Sequence, residues 1–114
     1  MSTKLSSSSL AAIPLAALLV SVTTANAQSV DAGQKVYAAQ KCSICHSIGG
    51  VGNKKGPLED AAAKLSADEI RQWITDAPAM SAKAKADRKP AMKAYTLPKE
   101  ELDGLVAYIK SLKK

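Results

Sequence analysis

Residues 42–46 read Cys42-Ser43-Ile44-Cys45-His46, and this quintet holds both cysteines and the only histidine of a 114-residue chain. A shuffle of the same composition produces that arrangement in roughly 1.5 cases per ten thousand, so the pattern carries information. Positions i and i+3 lie on one face of a helical turn. Two thiols held that way reach along one side of a flat ring system, and the next residue points an imidazole at its centre. Other uses of these residues make different demands. A redox Cys-x-x-Cys expects a βαβ setting, which the sequence lacks. Two cysteines in an oxidising compartment ordinarily pair, and zinc needs four ligands where the quintet offers three. Covalent attachment of one c-type haem uses all three side chains at this spacing. Each thiol adds across a vinyl group to give a thioether, and His46 takes one axial position on the iron.

The composition fits a core that a cofactor must help to fill. The chain is 46% hydrophobic and 23% charged, with mean hydropathy -0.08, which fits one small domain. There is no Phe, and one Trp and three Tyr are the only aromatic side chains, so a core of Leu, Ile, Val and Ala alone would be thin. Charges of both signs are interspersed and Gly and Pro are modest, which excludes collagen-like and wholly disordered chains.

Residues 1–27 carry one charge, Lys4, then Ser6 to Ser9, an apolar stretch from Leu10 to Val22 broken by Pro14, and Ala25-Asn26-Ala27. That is the layout of a secretory signal peptide with cleavage expected after Ala27. The apolar run is shorter than the roughly 20 residues a membrane span needs, so no permanent membrane anchor is expected. The domain is then residues 28–114, exported to the periplasm.

Along that domain, Asp31 is a candidate N-cap for a first helix reaching about Lys41 and carrying Val36 and Tyr37. Glycines and Pro57 crowd residues 49–57, which read as loop. Ser66-Ala67-Asp68-Glu69 is a capping box ahead of Ile70, Trp73 and Ile74, with Pro78 expected to stop the pattern. Residues 79–96 show no helical stripe and carry Lys83, Lys85, Arg88, Lys89 and Lys93 against Asp87, as a basic surface loop would. Pro98, Glu100 and Glu101 open a final helix with Leu102, Leu105, Val106, Ile109 and Leu112 on one face and lysines at its end. No segment alternates with period two, so no strand is expected and the fold class is all-α.

With one histidine in the chain, a second imidazole ligand is excluded. Met thioether is the natural sixth ligand, because soft sulfur favours ferrous iron. Met80 and Met92 compete, each in a Pro-Ala-Met tripeptide. Trp73, if buried, needs an acceptor for its indole N–H, and a haem propionate is one available. Gly49, Gly50 and Gly52 lack the strand and the Gly-Lys-Ser/Thr of a phosphate cradle.

These motifs together resemble the class I monohaem c-type cytochromes of the small bacterial type. The resemblance covers residues 31–112 and rests on Gly33-x-x-x-Tyr37, Cys42-Ser43-Ile44-Cys45-His46, Gly56-Pro57-Leu58, Met92-Lys93-Ala94-Tyr95 and Leu105-Val106-Ala107-Tyr108-Ile109. It implies a small helical domain wrapped around one covalent haem, with first and last helices crossing so that Gly33 and Tyr37 meet Tyr108. It selects Met92 over Met80 as the sixth ligand. It also implies that the Pro57 carbonyl accepts the Nδ1 proton of His46 and so fixes the ring.

With both axial positions filled, substrate cannot reach the iron and only electrons pass through the haem edge. An electron carrier rather than an enzyme is therefore expected, since the sole imidazole is committed and no hydrolytic triad remains. Its partners would be other redox proteins with an acidic docking surface; nucleic acid is not expected. Two alternatives share the motif: a haem protein with an open or displaceable sixth site for a small gas or peroxide, and the haem subunit of a larger periplasmic enzyme.

Overall fold

The computed structural model describes the backbone of residues 23–113 and side chains from residue 29 onward. The expected leader lies outside these residues, save for the backbone of residues 23–27. The fold is all-α in its core, with helices α1 (Thr23–Ala39), α2 (Leu58–Lys64), α3 (Ala67–Thr75), α4 (Ala77–Ala84) and α5 (Lys99–Lys110).

The first helix does not begin at Asp31. That residue is exposed in the body of α1, which starts at Thr23, so its carboxylate caps nothing. The helix ends where Lys41 adopts a left-handed backbone, φ 56 and ψ 39, a conformation that turns the chain out of a helix. A single 3₁₀ turn, Cys42–Ile44, follows at once.

Two short strands depart from the expectation of none. β1 (Ser47–Ile48) and β2 (Val51–Gly52) pair antiparallel, Ser47 opposite Gly52 and Ile48 opposite Val51. Gly49 and Gly50 form the two-residue turn with φ 58 and 77. Positive φ at both central positions is what a hairpin turn matching strand twist requires, and glycine supplies it without a Cβ clash.

Helix α2 begins directly after the 49–57 loop, in residues for which the sequence raised no helical expectation. Pro57 stands just ahead of it, Glu59 and Asp60 fill its first turn and Lys64 its last, the charge order the helix dipole favours. The capping box holds at α3: the Ser66 hydroxyl accepts from Glu69 N and the Glu69 carboxylate accepts from Ser66 N, both at 3.1 Å. Pro78 does not end the helical region. It sits in the first turn of α4, where its missing N–H has no partner to lose, so the start of the expected basic loop is helical.

The buried core is Val36, Leu58, Ile70, Ile74, Leu105, Val106 and Ile109, drawn from α1, α2, α3 and α5. α1 and α5 cross at Gly33 and Gly104. A Cβ on Gly33 would run into the Gly104 carbonyl and the Tyr108 side chain, so two bare backbones set the distance between the helices. Beside that crossing the Tyr37 and Tyr108 rings meet edge to face, with centroids 5.9 Å apart at 71°, an arrangement aromatic quadrupoles favour. The crossing joins the first and last helices and leaves the C-terminal end of α1, with the turn at Lys41 beyond it, to carry the site.

Candidate functional site

The left-handed turn at Lys41 brings the quintet across the end of α1. Backbone bonds from Cys45 N and His46 N converge on the Cys42 carbonyl at 3.1 and 2.9 Å, so both cysteines and the histidine are held within one tight turn. Asn53 secures it from the far side of the hairpin. Its backbone N–H donates to the His46 and Ser43 carbonyls at 3.0 and 3.1 Å, and its side-chain amide donates to the Ile44 carbonyl at 3.1 Å.

His46 is half-buried, and its Nδ1 lies 3.1 Å from the Gly56 carbonyl. The acceptor is thus Gly56 and not Pro57, as the resemblance implied. The chain bends so that Ser47 N also donates to the Gly56 carbonyl, at 3.0 Å, while Pro57 forms a parallel bridge to Ser47. Burial holds the His46 pKa below its ordinary value, the Gly56 bond opposes this and the Arg88 charge adds to it. The imidazole is therefore neutral near pH 7. An Nδ1–H bonded to a carbonyl leaves the Nε2 lone pair for a metal.

A cavity of about 640 Å³ lies against this turn, within the roughly 300–1,000 Å³ typical of cofactor and ligand pockets. Cys42, Cys45, His46, Met92 and Trp73 all line it, with Leu58, Ala61, Leu65 and Tyr95 among the apolar wall. Met80, on α4, does not line it. A small recess of about 40 Å³ shares Cys42, His46, Leu58, Met92 and Tyr95 and reaches core residues Ile74, Leu105 and Ile109. The cysteines are free thiols, and burial pushes the Cys42 thiol up from its ordinary pKa. Among the described residues no group of three or more His, Cys, Asp and Glu side chains could hold a metal ion by itself.

The donor set fits a haem c. Two unpaired thiols, a neutral imidazole, a thioether and an apolar wall share one hollow, and Trp73 is part of its lining.

Two contributors escaped sequence reasoning. Arg88, grouped there with the exposed lysines, is half-buried and lines the cavity; its Nη2 donates to the Cys45 carbonyl at 2.6 Å. Asn53 looked like one more turn former in a glycine-rich run. Neither residue carries a local signal, because their partners are fixed by the tertiary path. Of the remaining basic segment, Lys83, Lys85, Lys89 and Lys93 are exposed, and Lys93 alone of these lines the cavity, its Nζ 5.1 Å from the Tyr95 ring centroid.

Comparison with protein families matches the cytochrome c family over residues 30–113. No curated protein and no solved structure matches the chain. The family match takes in the quintet, every residue lining the cavity, α1 from Val30 onward and all of α2 to α5, so the chain belongs to the cytochrome c family, a family of haem c electron-transfer proteins.

Proposed function

We propose that this protein is a periplasmic electron carrier with one haem c, bonded to Cys42 and Cys45 and ligated by His46 and Met92. The observation that carries the reading is the shared cavity: Cys42, Cys45, His46 and Met92 all line it, and Met80 does not. When bound, the haem supplies reversible one-electron exchange at its iron. The chain's residues do the rest. Gly56 holds the His46 ring in one tautomer and strengthens it as a donor. Met92 offers soft sulfur, which favours the ferrous state and raises the potential. Leu58, Ala61 and Leu65 supply an apolar wall that excludes water, and Trp73, which also lines the cavity, would offer its indole N–H to a propionate. Export is supported by the leader-like sequence of residues 1–27. Among the described residues no helix is long and apolar enough to cross a membrane.

Docking belongs to the same reading. Lys41 and Lys93 are exposed on the cavity lining, and a redox partner with an acidic face fits them.

The test is the ferric optical spectrum of the holoprotein. Methionine on ferric iron gives a weak far-red charge-transfer band. Met92→Ala abolishes that band and lowers the potential, while Met80→Ala leaves both unchanged. The reverse pattern overturns the ligand assignment.

A further inference from the structure

We propose that Arg88 is a positioning residue that ties the segment bearing Met92 to the peptide bearing His46. The inference rests on Met92 as sixth ligand. From Ala86 to Pro98 the chain has neither helix nor strand, so regular structure does not place Met92. Two hydrogen bonds bracket it instead. Four residues before it, the Arg88 guanidinium donates to the Cys45 carbonyl at 2.6 Å. Three residues after it, Tyr95 N donates to the Ile74 carbonyl at 2.8 Å.

The Arg88 contact is built into the site. A Cβ placed on Gly56 would collide with Arg88 Nη1 and would lie 2.5 Å from the Cys45 carbonyl oxygen and 2.9 Å from His46 Nδ1. The guanidinium, the Cys45 carbonyl and the His46 ring that bonds the Gly56 carbonyl therefore crowd one small volume, which the missing side chain at residue 56 leaves open. A charge-assisted bond is roughly twice as strong as a neutral one, and the planar fork of arginine is better organised for such a contact than a lysine ammonium. Swinging Met92 out of the cavity requires this bond to break or its segment to stretch.

A ligand that competes for the iron binds in proportion to the fraction of molecules in which Met92 has left it. The experiment is imidazole titration of the ferric holoprotein, followed by the far-red band. Arg88→Met binds imidazole about tenfold more tightly than the parent, about 1.4 kcal/mol. Arg88→Lys, which keeps the charge and one donor, falls between the two. Parent-like affinity in Arg88→Met overturns the proposal. If that variant yields no holoprotein, Arg88→Lys decides: about threefold tighter binding supports the tether, and unchanged binding overturns it. Met92→Ala is measured alongside. A far-red band that survives there overturns the ligand assignment and the tether with it, whereas a band lost there with unchanged imidazole affinity in the Arg88 variants overturns the tether alone.

Discussion

Gly56 serves four neighbours, two through its carbonyl and two through its missing side chain. Its carbonyl accepts from His46 Nδ1 and Ser47 N, and the space its Cβ would take is filled by Arg88 and the Cys45 carbonyl. Gly56→Ala is expected to destabilise the holoprotein by about 1–3 kcal/mol, the usual cost of overpacking, read as a lower urea midpoint with an unchanged slope. The same substitution at Gly50, where nothing lies within 4 Å of a Cβ, meets no neighbour and should cost only its left-handed backbone. At this scale the sequence is legible where residue type and spacing state the chemistry by themselves. Cys42, Cys45 and His46 stand in five consecutive positions. Arg88 was not legible, because its acceptor lies 43 residues away and a basic run reads the same whether its members face water or a carbonyl. The shift of the His46 acceptor from Pro57 to Gly56 is likewise a matter of loop path that no residue type announces.

Helices with explicit start signals were legible, and elements whose signals overlapped were not. The α3 capping box and the α5 apolar face could be read directly. The hairpin hid in a loop signal: Gly49-Gly50 between Ile48 and Val51 is a two-residue turn signature, but strands of two residues show no alternation. α2 and α4 were masked by Pro57 and Pro78, which mark helix starts as readily as stops. Between elements, Asp103 on α5 binds Arg71 of α3 and Lys99 of its own helix, each at 2.7 Å. Hydrogen bonds from Lys99 and then Arg71 hold its carboxyl below the ordinary carboxylate range. In the unfolded chain it returns to about 3.9. The stabilisation is therefore complete above about pH 4 and lost as pH falls through the lower folded value. Asp103→Asn should be less stable than the parent at pH 6, and urea midpoints taken stepwise below pH 4 should converge. A gap that persists at low pH would assign the effect to packing instead. Because the pair is solvent-exposed, salt should narrow the gap as well.

Over the whole molecule, the first and last helices lock together at Gly33 and Gly104 and leave one hollow at the end of α1. The chain carries +6 net charge, and Lys41 and Lys93 place part of it at that hollow, whose lining also includes Ile44; Ile44 and, on the hairpin, Val51 are apolar residues 67% and 75% exposed. Charge at the mouth steers an acidic partner only within the Debye length, about 10 Å at 0.1 M salt. Lys41→Glu with Lys93→Glu is expected to slow bimolecular electron transfer several-fold at low salt, with the difference shrinking as salt rises. A rate indifferent to both changes would assign docking to the apolar pair.

The proposed function requires both axial positions to be filled by the chain's own side chains, so that the site would relay electrons and not bind a small molecule at the iron. Carbon monoxide added to the dithionite-reduced holoprotein at neutral pH tests this most directly. With His46 and Met92 on the iron, the ferrous spectrum is unchanged by the gas in the parent and shifts to a carbon monoxide complex in Met92→Ala. A parent protein that takes up carbon monoxide as readily as that variant would contradict the claim and make the iron an open binding site.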